Sequence, residues 1–277
     1  MKKYPKRMWA LLVSALWLQS CVVTAPKPTF TNPLGMEFVR IEPGSMLVGK
    51  YQPTVGEPGK GDPGRKTLPD SIYRVAEKMA AQAAMPGFKV TLDQPFYIGK
   101  YEVTQEQWEK VMGHNPSFFQ GDKVSDDATK HPVENISWQD AQVFVRRLSA
   151  LDKKHEYRLP TEFEWEYAAR AGADDDIPWA EINKIAVLGG TTTSAIGQKQ
   201  PNAWGLYDML GNVWEWVEDY YNKKLFADPV PPQFGEEHVL KGASFTGDVK
   251  NATYKTHAAG PGNGFDVGLR VVMEAKQ

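Results

Sequence analysis

Residues 202–221 read N-A-W-G-L-Y-D-M-L-G-N-V-W-E-W-V-E-D-Y-Y and constrain the chain more than any other stretch. They place Trp204, Trp214, Trp216, Tyr207, Tyr220, Tyr221 and six acid or amide side chains within twenty positions. Aromatic side chains of that density call for burial, and acids buried beside them need partners. Gly205 and Gly211 interrupt the run, which argues against one long helix. The stretch is expected to be an irregular, closely packed core segment in which Asp208, Asn212 and Glu215 tie loops together. Hydrogen bonds alone would serve, and so would an oxygen-liganded cation such as calcium.

The amino terminus is built differently. Lys2, Lys3, Lys6 and Arg7 precede an apolar run from Met8 to Leu18, followed by Gln19, Ser20 and Cys21. A basic start and a short apolar core form a secretory signal, here residues 1–20, and the run is short for a membrane span. The sequence L-Q-S-C resembles the lipobox of bacterial lipoproteins, which implies that Cys21 becomes the acylated first residue of the mature chain. Cys21 is the sole cysteine, so no internal disulfide can form. Val22 follows it, with no aspartate that would resemble an inner-membrane retention signal. An exported lipoprotein of the outer membrane or cell surface is therefore expected, anchored to the lipid bilayer. Residues 21–35, with three prolines and several threonines, read as a tether, and 36–277 as a single domain.

A chain of 277 residues with 42% hydrophobic and 24% charged residues has the balance of a globular domain. Its net charge of −2 provides no global field for nucleic acid. Residues 36–48 alternate as two strands around Pro43-Gly44, and residues 88–101 as a strand, a turn and a short strand. A helix over 70–84 would bury Ile72, Val75 and Met79. Thr104 with Gln107, Ser137 with Asp140, and Thr161 with Glu164 have the spacing of capping boxes, starting helices at 105, 138 and 162. The second should bury Ala141, Phe144, Val145 and Leu148, and the third Trp165, Ala168 and Ala169. Strands are expected at 238–245 and 267–273.

Familiar catalytic patterns are missing from the sequence. None of the five histidines falls in an H-x-x-x-H or H-E-x-x-H spacing, and no G-x-S-x-G or P-loop occurs. With Cys21 committed to export there is no thiol nucleophile and no soft metal site. Neither copper nor zinc is expected.

The phrases K-Y-E-V-T-Q-E-Q-W-E-K-V-M-G, H-P-V-E-N-I-S-W-Q-D-A-Q-V-F, Y-R-L-P-T-E-F-E-W-E-Y-A-A-R and N-A-W-G-L-Y-D-M-L-G-N-V-W-E-W resemble, in this order, the formylglycine-generating enzyme or sulfatase-modifying factor superfamily. The closing V-L-K-G-A-S-F … V-G-L-R-V-V resembles that superfamily's usual ending. The resemblance implies an α+β, C-type-lectin-like fold with small twisted antiparallel sheets, two main helices and much irregular loop. It also implies a structural calcium at the 211–216 turn, with Asn212 and Glu215 as side-chain ligands. The formylglycine-generating members use a late cysteine pair, and the matching stretch 246–259 contains none, which argues against that chemistry here.

Another branch of the superfamily consists of ligand-binding proteins whose C-terminal segment is diversified by a retroelement, some of them lipid-anchored on spirochaete surfaces. The lipobox and the departures from the family pattern after Gly242 are similar to that branch. It implies a non-catalytic binding protein whose exposed face carries Phe245, Thr246, Asp248, Lys250, Asn251, Tyr254, Lys255, His257, Asn263 and Phe265. The ligand would be a protein, a small molecule or a glycan. The alternative is a maturation enzyme or regulatory factor of an envelope or secretion pathway. Its signature would be His257 or His238 within hydrogen-bonding reach of Asp248 or Asp266.

Overall fold

The computed structural model describes residues 27–49, 87–174, 177–227, 229–230, 232–249, 252–260 and 262–276. The signal segment, Cys21, the helix expected over 70–84, Lys250 and Asn251 lie outside them.

The three capping boxes form as their spacing dictates. Helix α1 (Gln105–Met112) starts where Thr104 accepts the Gln107 N–H and ends at Gly113, whose φ is +83°. Ser137 and Asp140 close the start of α2 (Trp138–Leu151), and Thr161 and Glu164 that of α3 (Glu162–Arg170). Each such cap contributes about 1 kcal/mol. The buried stripe of α2 is Ala141, Phe144, Val145 and Leu148. In α3 it includes Trp165, Ala168 and Ala169. A one-turn helix, α4, covers Trp179–Ile182.

Strands β1 (Thr29–Thr31), β2 (Glu37–Ile41), β5 (Phe96–Gly99), β6 (His155–Arg158) and β11 (Val272–Ala275) form a five-stranded sheet in the order β1-β2-β5-β11-β6. Its pairings are antiparallel. A second sheet, in the order β10-β7-β8-β9, contains β7 (Trp214–Tyr220), β8 (His238–Lys241), β9 (Ala258–Ala259) and β10 (Val267–Leu269). Its β10–β7 pairing is parallel. Among the described residues, strands β3 (Gly44–Val48) and β4 (Phe88–Leu92) pair only with each other.

Two differences from the sequence reading stand out. β1 lies inside the stretch read as tether, so the folded region reaches back before residue 36, because Phe30 pairs opposite Phe38. β8 stops at Lys241, since Gly242 and Ala243 have φ of +94° and +66°, outside the range of a strand.

The 202–221 stretch sits where the sheets and helices converge. Trp216 is 2% exposed and donates its indole N–H to the Ile136 carbonyl at 3.0 Å. It belongs to a core with Phe38, Trp108, Phe144, Leu148 and Leu269. A second core gathers Ile98, Trp165, Leu210, Val217 and Val239, and Tyr254 packs into it. Trp214 is only half-buried and borders both cores.

Candidate functional site

The chain beyond β8 is bound to the 202–221 segment before it reaches the surface. Gly211 donates to the Gly242 carbonyl at 2.8 Å and Phe245 to the Asn212 carbonyl at 2.9 Å. Any side chain at Gly211 would meet Val187 backbone, with an added Cβ 2.2 Å from its oxygen. Phe245 is thereby drawn inward and is 1% exposed. Buried Phe119 meets it edge to face at 5.2 Å. On this base stand two exposed rings, Phe118 at 49% and Phe265 at 50% exposure, 6.4 Å apart. Lys123 places its ammonium 3.5 Å above the Phe118 ring, a cation–π contact.

Polar groups rim the rings. Asp266 accepts from the Ser244 hydroxyl at 2.7 Å and the Thr246 hydroxyl at 3.3 Å. Asn263 donates to Asn135 at 3.3 Å, and Asn135 donates to the Pro116 carbonyl at 3.0 Å. Beneath the Phe118 loop lies Glu134, with no exposed surface. One oxygen accepts the Phe119 N–H at 2.9 Å, and the other has no partner among the described residues. Burial pushes the Glu134 carboxyl up to about 7, partly offset by the Phe119 and Phe118 N–H groups and by Lys123.

Of the ten residues expected on the exposed face, Phe245, Thr246, Asn263 and Phe265 gather here. Thr246, Asn263 and Phe265 are exposed, whereas Phe245 forms the floor. Tyr254 is 2% exposed and belongs to the second core, so it is not on that face. Asp248 and Lys255 are half-buried and engaged with neighbours. The residues missed were Phe118, Phe119, Glu134 and Asn135. The signal for Phe118 and Phe119 was N-P-S-F-F, two adjacent phenylalanines in an otherwise polar loop.

His257 serves a buried ionic network. Its ring bonds Glu162 at 2.8 Å and the Asn222 carbonyl at 2.9 Å, and stacks on Tyr221. Lys241, with no exposed surface, reaches Glu166 at 3.1 Å and Glu162 at 3.5 Å. Burial raises Glu162, but Lys241 and His257 outweigh it and hold the carboxyl below its usual range. Asp219 accepts the Glu162 N–H at 2.6 Å, and burial pushes it up to about 6. His238 is stacked between Trp138 at 3.6 Å and Tyr220 at 4.3 Å. The histidine–aspartate arrangement of an enzyme is therefore not formed by His257 or His238 with Asp266. A different set does have the right atoms: His131 bonds Thr193 at 2.9 Å and Asp126 at 2.8 Å. Thr193 is 2% and His131 1% exposed, so this set pins loops and offers no nucleophile to a substrate.

The 211–216 turn holds its polar groups mainly by hydrogen bonds. Asn212 accepts from Ser194 N–H at 2.9 Å and donates to Glu102. Glu215 takes Arg270 and the Trp165 indole N–H. The pair expected as calcium ligands is thus already engaged. Among the described residues no group of three or more His, Cys, Asp or Glu is placed to hold a metal ion. Asp208, just before the turn, is the exception: one oxygen accepts the Gly197 N–H at 2.7 Å and the other has no partner among the described residues. Burial raises Asp208, and raises Glu102 well above its usual range, with Asp208 and Glu215 adding to the effect on Glu102.

Comparison with known proteins places this arrangement. Residues 24–275 match the sulfatase-modifying factor enzyme 1-like domain. The chain is 32% identical to the chaperone protein LppX of Paenibacillus barcinonensis over 241 residues, 66% of this chain and 81% of that protein. It is 33% identical to the formylglycine-generating enzyme of Thermomonospora curvata over 146 residues, covering 43% of this chain and 46% of the enzyme. Among solved structures, Treponema denticola variable protein 1 superposes with a TM-score of 0.68 at 26% identity, covering 88% of this chain and 98% of that one. PvdO from Pseudomonas aeruginosa shares the fold, with a TM-score of 0.69 at 24% identity over 90% and 99%. Because that domain match runs over nearly the whole chain, residues 24–275, the chain belongs to the sulfatase-modifying factor enzyme 1-like family.

Proposed function

We propose that this protein is a lipid-anchored, non-catalytic binding protein of the outer membrane or cell surface, and that its ligand is a polypeptide held on the Phe118–Phe265 face. One observation carries the reading: two half-exposed rings stand on a buried aromatic base, with an amide, hydroxyl and carboxylate rim. Exposed aromatic anchors inside a polar rim are the usual composition of recognition surfaces. The name of LppX, a chaperone, supports a protein client. That of the Treponema denticola protein supports a face that varies.

Variation is tested by sequencing the gene's 3′ end over codons 242–270 in many isolates. Replacements clustered at Thr246, Asn263 and Phe265, with residues 202–221 constant, support a diversified receptor. Equal constancy of both stretches sinks diversification and leaves a fixed client.

A structural calcium ion is the second part of the proposal. Glu102, Asp208 and Glu215 bury three carboxylates against the single guanidinium of Arg270. Asp208 has an oxygen that lacks a partner among the described residues, and a hard cation would satisfy it. Asp208, rather than Asn212, is the side-chain donor in this reading.

A further inference from the structure

The carboxyl end of α2 carries a basic surface that the binding reading does not use. Arg146, Arg147, Lys153 and Lys154 are exposed, and Leu151 between them is 57% exposed. Among the described residues none of the four cations has a carboxylate within salt-bridge distance. Arg147 donates to the Met112 carbonyl at 3.2 Å, and Lys276 joins the group by donating to the Ser149 and Asp152 carbonyls. The acids close by are largely spent. Asp152 is buried and bonded to His155 and Tyr157, and Glu274 is paired with Arg158. Exposed Glu156 is left opposing the cations.

This surface borders the amino-terminal entry of the fold. A cavity of about 580 Å³ is lined on one side by Phe30 and Asn32 and on the other by Leu151, Lys153, Lys154 and His155. The Phe30 ring lies 4.9 Å from that of His155. Lys27 lies six positions after Cys21, a contour of roughly 20 Å when fully extended. An acyl chain on Cys21 would hold Lys27 within that distance of the bilayer, and Phe30 is three residues further along.

We infer that the Leu151–Lys154 corner, with Arg146 and Arg147, is the face the domain lays on a bilayer rich in anionic phospholipid. The inference rests on the lipid-anchor reading above. Unpaired cations beside an exposed aliphatic tip match a negatively charged headgroup layer, to which each lysine or arginine adds about fivefold in partitioning. The anchor alone does not fix orientation, whereas this face would turn the domain in a defined way on the membrane.

The test uses the mature chain, residues 21–277 with Cys21→Ser, so that neither the signal segment nor an acyl group supports binding, and phosphatidylcholine vesicles with and without phosphatidylglycerol. Cosedimentation is expected only with phosphatidylglycerol present and at low salt. Lys153→Ala with Lys154→Ala should weaken it by about fivefold for each charge, while Lys184→Ala with Lys199→Ala leaves it unchanged. Binding that ignores phosphatidylglycerol, no binding at all, or binding equal in both double variants overturns the proposal. Matched circular dichroism of the variants separates this from misfolding. Mass spectrometry of the wild-type exported chain tests the anchor by itself: a diacylglyceryl mass on Cys21 upholds it, and an unmodified Cys21 removes both the anchor and the tether argument.

Discussion

Arg270 reaches Glu215 with two nitrogens, Nη2 at 2.8 Å from Oε1 and Nε at 3.1 Å from Oε2, in a pair with no exposed guanidinium surface. The same guanidinium donates to the Gly99 carbonyl at 2.9 Å and the Tyr207 carbonyl at 2.8 Å. One side chain thus joins the junction of β10 and β11 to β5 and to the 202–221 segment.

Removing that cation leaves Glu215 buried without its ion-pair partner, with the Trp165 indole N–H as its remaining donor among the described residues. Arg270→Met is expected to cost about 3–5 kcal/mol. Arg270→Lys should recover only part of it, because an ammonium cannot reproduce the planar fork. Urea unfolding of the two variants measures the difference, and equal stabilities would contradict the assigned role.

Calcium should raise the melting temperature relative to a chelator, and Asp208→Asn should abolish that increment. The comparison is thermal unfolding in calcium against EDTA. An unchanged melting temperature in the wild type means the turn is held by Arg270 and hydrogen bonds alone.

Glu134 makes stability depend on pH. Its folded value is pushed up to about 7 from the ordinary glutamate range, so the folded state holds the proton more tightly than the unfolded chain. The resulting stabilisation is fully present below the unfolded value and is lost as pH rises through 7. A shift of this size corresponds to about 3 kcal/mol. Glu134→Gln should flatten the stability profile between about pH 4 and about pH 7, the span from the unfolded value to the folded one. A wild-type profile as flat as that of the variant would remove Glu134 from the account.

Trp216→Ala should cost about 3–5 kcal/mol, since the ring is buried in the first core. Trp214→Ala should cost less, because that ring is half-buried. Chemical unfolding of both variants ranks them, and the reverse order would contradict the burial pattern.

Much of this architecture was legible because local rules set it. The boxes Thr104–Gln107, Ser137–Asp140 and Thr161–Glu164 need only residues three apart, and α1, α2 and α3 begin where those rules place them. The buried stripe of α2 follows from helical periodicity alone. Long-range pairing left no such mark. Nothing local to Glu162 or Glu166 says that Lys241, some 75 residues away, neutralises them; read alone, they suit an exposed helix start. The candidate face is split between residues 118–119 and residues 245–265, which only the tertiary fold unites. Phe245 and Tyr254 are expected on the surface through the resemblance to the diversified branch, not through any local pattern. Backbone bonds to Asn212 draw Phe245 in, and the second core takes Tyr254.

The most direct test of the binding claim is fluorescence anisotropy with a labelled, reduced and carboxymethylated model protein as the unfolded-polypeptide probe. Wild type is compared with Phe118→Ser/Phe265→Ser, whose half-exposed rings lie outside both cores, and matched thermal unfolding checks that the variant is folded. Binding by wild type that falls at least about tenfold in the double variant, the loss of roughly 1.4 kcal/mol expected of two anchors, is the predicted result. No binding by wild type, or equal binding by the variant, would contradict a polypeptide-binding role for this face.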